Sequence, residues 1–202
     1  MGASTRRFVN AAWRTWLGLM RPTRRSNIRR LRRRGESPDS LTIRDATVDD
    51  IPALARLHVE TWNATYAPFG AEGPSVGVRE RQWRQRFAAE DPDQCCFVVQ
   101  RADGALVGFA LAHRSDGPEY DGELAKLHLL RDYQRLGIGS RLIGRVARHL
   151  LGRGIRSMWL HGDPRNPSCR AWIALGAEKC DPDPDSGSYG WRDISALAGL
   201  SP

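Results

Sequence analysis

The chain has 202 residues, 41% of them hydrophobic and 27% charged, which fits one ordinary domain with an appendage. It has no apolar run of about 18 residues that would mark a membrane span, and a cytoplasmic protein is expected. The net charge of +8 belongs to one end: residues 1–36 hold eleven Arg against a single acid, Glu36, so the remainder is slightly negative, which argues against a nucleic-acid groove on the main body.

Residues 6–21, read as a helix, place Val9, Trp13, Trp16 and Met20 on one stripe with Arg7, Arg14 and Arg21 opposite. Followed by the arginines from 24 to 34, this pattern suits an interfacial helix that touches anionic lipid or nucleic acid. The competing expectation, which the composition favours, is a basic N-terminal extension over residues 1–40, disordered or lying upstream of the true start. The folded domain is then residues 41–202.

Leu41 to Arg44 alternates like a half-buried strand. Thr47 with Asp50 resembles a capping box ahead of a helix through Ile51, Leu54, Leu57 and His58 toward Trp62 and Tyr66. Pro68, Gly70, Gly73 and Pro74 then impose a loop. Val78, Trp83 and Phe87 suggest a second helix, whose charged positions read as a solvated face. Cys95 to Gln100 and Ala105 to Ala112 form a hairpin through Asp103-Gly104, and Glu123 to Leu130 is the next strand. Leu142, Ile143, Val146, Ala147, Leu150 and Leu151 lie on one stripe of a helix that starts at Ile138. A strand over Ile155 to His161, a helix over Pro167 to Leu175 and strands near Lys179 and Trp191 complete the chain. The five histidines are scattered singly and the four cysteines form no C-x-x-C pair, so no metal site is expected.

One segment concentrates the chemistry. Gln134, Arg135, Leu136, Gly137, Ile138, Gly139 and Ser140 join an apolar strand to a helix start. Glycines allow close approach of a ligand and positive φ, and the first N–H groups of a helix lack internal partners, so the loop can hold phosphate. Arg131, Arg135 and Arg141 are near in sequence and could neutralise a polyanion. A dinucleotide fingerprint would need Gly at position 142 and a P-loop a following Gly-Lys-Ser/Thr; neither is present.

The run Gln134 to Gly139 matches the Q/R-x-x-G-x-G/A signature of the GCN5-related N-acetyltransferase (GNAT) superfamily at every defined position. The resemblance spans about residues 43 to 194, with Ile43-Arg44 and Ala46, Trp62 and Tyr66, Asn166-Pro167-Ser168 and Leu175-Gly176-Ala177 falling where relatives carry similar residues. It implies an α/β (α+β) fold with a mixed, mostly antiparallel sheet flanked by helices. Acetyl-CoA would lie between two splayed parallel strands, around Leu127 and Trp159. By the same resemblance Leu127, His128 and Leu129 offer backbone groups to the cofactor, the loop amides hold its pyrophosphate, and Asn166 contacts it. Asn166 reads equally as a helix N-cap.

Acetyl transfer to an amine requires removal of a proton from an ammonium. Glu123 aligns with the glutamate that is general base in many relatives; the bland alternative is a solvated strand-end charge. His128 is a second candidate, disfavoured because simple alternation turns it to the other face. Trp172 stands where relatives often carry a tyrosine acid, and an indole N–H cannot fill that role. Trp62, Tyr66 and Trp191 could wall an acceptor pocket or merely pack. The expected activity is acetyl transfer to a primary amine of a small molecule or protein, with a non-catalytic acyl-CoA sensor as the alternative. A homodimer is compatible with the resemblance.

Overall fold

The computed structural model describes residues 22–163, 166, 169–183 and 186–200. Its strands are β1 (Thr42–Asp45), β2 (Cys95–Gln100), β3 (Leu106–Arg114), β4 (Gly122–Leu129), β5 (Met158–His161), β6 (Glu178–Lys179) and β7 (Ser188–Trp191). They form a seven-stranded sheet in the order β1-β2-β3-β4-β5-β7-β6. Every neighbouring pair is antiparallel except β4 with β5. The helices are α1 (Arg24–Arg33), α2 (Ile51–Tyr66), α3 (Val76–Ala88), α4 (Ile138–Gly152), α5 (Cys169–Ala174) and α6 (Ser195–Ala198). The mixed, mostly antiparallel sheet agrees with the expectation.

Alternation along β2 divides the core in two. Cys95, Phe97 and Val99 face α4, whose apolar stripe of Ile138, Leu142, Ile143, Val146, Ala147 and Leu150 is fully buried. Cys96 and Val98 face the opposite way, toward Ile51, Leu54, Ala55 and Leu57 of α2 and Trp83 of α3. The result is helix, sheet and helix in three layers, held by burial on both sheet faces. α6 closes over α4 at Gly144, where a Cβ would stand 2.7 Å from the Leu200 carbonyl oxygen.

Two sequence boundaries move. Strand β5 begins at Met158 rather than Ile155, because the Asp121 carboxylate captures the N–H groups of Arg156 and Ser157, both at 3.2 Å, and holds that stretch as a loop. The packed structure also begins before residue 41. α1 is capped by Thr23, which accepts from the Ser26 N–H at 3.1 Å, and its Leu31 is fully buried in the same cluster as Leu41, Tyr133 and Ile138. An arginine-rich segment cannot form a core of its own, but α1 needs only one apolar side chain to join an existing one. The amphipathic pattern over residues 6–21 lies outside the described residues.

Candidate active site

Strand β4 carries a bulge. β3 and β4 pair Leu111 with Lys126 and Ala112 with Leu124, leaving Ala125 as an extra residue on β4. A bulge reverses both the side-chain alternation and the direction in which amides point. Before it, the Gly122 N–H bonds the Ser157 carbonyl on the β5 side at 3.0 Å. Beyond it, Leu130 donates to Val107 on the β3 side at 2.9 Å, so by antiparallel alternation Lys126 and His128 also direct their amides at β3. The amides of Leu127 and Leu129 therefore face away from β3.

What they face is a cleft. The parallel pairing of β4 with β5 consists of Gly122 with Met158 and Glu123 with Trp159. β4 then runs on to Leu129 with no further pairing to β5, which itself ends at His161. Glu123 thus stands at the fork where the strands part. Of the three backbone positions expected to serve the cofactor, Leu127 and Leu129 present N–H groups to the opening, whereas His128 spends its amide in the sheet. The Leu129 carbonyl accepts from Gln134 Nε2 at 3.0 Å, which ties the following loop to the strand end.

That loop has the backbone its sequence demands. Arg135 has φ 64° and Gly137 φ 83°, and Gly137 is the residue from which α4 starts. Among the described residues, the N–H groups of Leu136, Gly137, Ile138, Gly139 and Ser140 donate to no backbone carbonyl. Five unsatisfied donors at the positive end of a 15-residue helix form an anion cradle. Arg131 and Arg135 are exposed beside it. Arg141 is turned elsewhere, toward the carbonyls of Pro38 and Leu41 at 3.3 and 3.5 Å, rather than toward the loop amides.

α1 buttresses the same loop. Asn27, fully buried, donates through Nδ2 to the carbonyls of Arg131 and Gln134 at 2.9 and 2.8 Å. Arg30 and Arg34 both reach Asp132 at 2.5 Å, and the Tyr133 hydroxyl donates to Glu36 at 2.7 Å. Nothing in the short run from 24 to 36 announces this; a lone Asn among arginines was the only trace.

On the other face of the sheet the bulge has its second effect. Phe109 and Leu111 of β3, which pack under α2 and α3, lie opposite His128 and Lys126, and His113 lies opposite Glu123. Glu123, Lys126 and His128 consequently share one face, which simple alternation would have denied to His128. The His128 ring stacks on Phe109 at 5.1 Å between centroids and meets His58 at 5.0 Å. Burial, with Lys126 and Arg79 nearby, pushes His128 down to about 3. Burial, reinforced by His128, Arg79 and Lys126, pushes His58 down to about 2. Both imidazoles are neutral and weakly basic at pH 7, which disfavours His128 as the base.

A cavity of about 490 Å³ opens on this face, lined among others by His58, Arg79, Trp83, Arg86, Leu111 and Lys126. The charged positions of α3 were read from sequence as a solvated face, yet Arg79 and Arg86 belong to this cavity. The signal that finds them is three-dimensional: they are seven residues apart on one helix, opposite a lysine whose direction depends on a bulge.

Trp62 and Tyr66 pack on each other at 5.0 Å between centroids and are half-buried; Gly73 abuts Trp62 so closely that a Cβ there would clash at 2.5 Å. They wall the loop after α2, and neither lines the 490 Å³ cavity. Trp191 is core, its indole donating to the Leu175 carbonyl at 2.9 Å. Between β5 and α5, the Asn166 N–H donates to the Asp163 carbonyl at 2.7 Å and its carbonyl accepts from the Cys169 N–H at 3.1 Å. Trp172 and Cys169 crowd Gly162 at the end of β5, and burial raises the Cys169 thiol. Among the described residues no group of three or more His, Cys, Asp or Glu side chains is placed to hold a metal, and no helix is long and apolar enough to cross a membrane.

A sheet forked at one parallel pair, with a glycine loop and helix start beyond the fork, defines an acyltransferase fold, and residues 54–177 match the acetyltransferase (GNAT) family. The chain belongs to that family. It is 30% identical over 170 residues to the uncharacterised N-acetyltransferase YuaI of Bacillus subtilis, covering 79% of this chain and 98% of that one. Among solved structures it resembles the PaiA N-acetyltransferase of Thermoplasma acidophilum in complex with coenzyme A, with a TM-score of 0.56, 21% identity and coverage of 75% and 98%. It also resembles the spermidine N-acetyltransferase of Vibrio cholerae in complex with CoA and spermine, with a TM-score of 0.58, 15% identity and coverage of 79% and 99%.

Proposed function

We propose that this protein transfers an acetyl group from acetyl-CoA to a primary amine by direct attack within a ternary complex, with Glu123 as general base. The observation that carries the reading is the position of Glu123 at the fork, where paired strands give way to a cleft edged by the Leu127 and Leu129 amides and ended by the loop cradle. The residues fit the cofactor: the five loop donors suit a pyrophosphate, and the strand amides suit an extended arm with its own amide groups. The co-substrate supplies an activated thioester.

Glu123 takes the proton of the ammonium, directly or through one water, so that the neutral nitrogen can form the new N–C bond as the C–S bond breaks. The Leu127 N–H, the nearer to Glu123 of the two strand amides that face the cleft, is a preorganised donor for negative charge on the acyl oxygen, and the Leu129 amide farther along suits the arm of the co-substrate. CoA leaves as a thiolate, and the solvent protonates it, since Trp172 has no acidic proton to give.

The test is CoA-thiol release from acetyl-CoA over a panel of amines. Amine-dependent release by wild type that falls at least about 100-fold in Glu123→Gln, with altered pH–rate behaviour, supports the assignment. Tight CoA binding without turnover of any amine would favour the acyl-CoA sensor instead.

A further inference from the structure

The cavity at Lys126, three residues along β4 from Glu123, has a one-sided charge. Arg79, Arg86 and Lys126 are in its wall, and no carboxylate is. Elsewhere arginines find acids: Arg30 and Arg34 reach Asp132, Arg44 reaches Asp50, Arg101 reaches Glu36 and Arg114 reaches Asp93. Among the described residues, none of the three cavity cations has a carboxylate within ion-pair distance. Arg79 donates through Nη1 to Gln82 at 3.0 Å, but its Nε is enclosed without an acceptor. Lys126 reaches only the carbonyl of its own neighbour Ala125 at 3.0 Å.

Such an arrangement costs free energy in the unliganded protein. Burial lowers the Lys126 ammonium below its ordinary value, Arg79 and Arg86 lower it further, and Glu123 opposes them. Burial likewise lowers Arg79. Like charges held together around an enclosed donor are relieved by an anion that accepts from all of them. The bulge at Ala125 is what turns Lys126 to the same face as Glu123, and along the strand the two lie at most about 10 Å apart.

We propose that the acceptor is an amine that also carries an anionic group, a carboxylate or a phosphate, held by Arg79, Arg86 and Lys126 while its amine faces Glu123. This rests on the acetyltransferase reading above. The same cations make the ammonium easier to deprotonate, since nearby positive charge favours the neutral amine. A polyamine would meet like charge at this wall.

The experiment compares matched acceptors with the full chain and saturating acetyl-CoA: amino acids against their carboxamides, and phosphoethanolamine against ethanolamine, with spermidine as the polycation. Carboxamides and their parent acids differ in amine basicity. The quantity read is therefore the charged-to-uncharged ratio of kcat/KM in wild type divided by that ratio in Arg79→Gln and in Lys126→Met, in which basicity cancels. The expected quotient is at least about ten for each variant, with Arg79→Lys retaining part of the preference. The carboxylate and phosphate pairs report separately which anion is preferred. An unchanged ratio in both variants, or a preference for spermidine, overturns the inference while leaving the transferase reading intact. If no amine is acetylated, the transferase reading fails first. Calorimetry of the CoA-loaded protein with N-acetylglycine and with inorganic phosphate then decides: 1:1 binding lost in Arg79→Gln supports the anion site, and no heat in wild type overturns it.

Discussion

The two sides of the site are made from different material. The side proposed for the cofactor is backbone: amides of Leu127 and Leu129, five N–H groups from Leu136 to Ser140, and a left-handed Gly137. The side proposed for the acceptor is side chain: His58 from α2, Arg79, Trp83 and Arg86 from α3, and Lys126 from β4. A backbone site tolerates most changes of side chain and fails when its dihedral angles are altered. A side-chain site can be rebuilt residue by residue on an unchanged fold, which is how one architecture serves many acceptors. Substitutions should therefore separate by side.

The largest separation is expected at Gly137. Open space surrounds it, with no atom within 4 Å of an added Cβ, so Gly137→Val acts only through a β-branched residue forced to φ 83°. Strain of about 1–3 kcal/mol should weaken acetyl-CoA binding by about 10-fold or more, measured by calorimetry, with the KM for amine unchanged. An equal loss on both substrates would break the division. Asn27→Ala comes next. It leaves two carbonyls of the loop without their donor, at about 1–3 kcal/mol, visible as a lower thermal midpoint and a several-fold rise in the CoA dissociation constant. Retained loop function in that variant would show that α1 is merely adjacent.

A third prediction concerns acid. His58 and His128 are held neutral in the fold, at about 2 and 3 against an ordinary 6.5, so the unfolded chain binds more protons than the folded one. The stability they allow is fully present above pH 6.5 and is lost as pH falls below it toward the folded values, with a slope approaching about 1.4 kcal/mol per pH unit per imidazole. Denaturant unfolding between pH 7 and 5 should show this, and His58→Leu should flatten it. The smallest effect is expected from Trp172→Phe, less than about threefold in kcat, because the indole is not a proton donor to the leaving thiolate.

The same division explains what the sequence made legible. Backbone demands leave marks in one dimension: the glycines at 137 and 139, the apolar stripe of α4 and the Asp103-Gly104 turn each require particular residues at particular spacings, and each was found where those spacings placed it. The bulge at Ala125 left no such mark, since any residue can be the extra one, and it decides which way Lys126 and His128 point. Arg79 and Arg86 looked like solvated charges because their surroundings come from β3 and β4. α1 was hidden for a related reason. Its composition is that of a segment unable to fold alone, and its order depends on a surface about a hundred residues away, at Arg131 and Gln134.

The most direct test of the account is to measure binding and turnover together in Glu123→Gln. If the backbone holds the cofactor and the glutamate moves the proton, CoA affinity by calorimetry stays within about twofold of wild type while amine-dependent thiol release falls about 100-fold or more. Loss of CoA binding in that variant, or turnover within a few-fold of wild type, would contradict it.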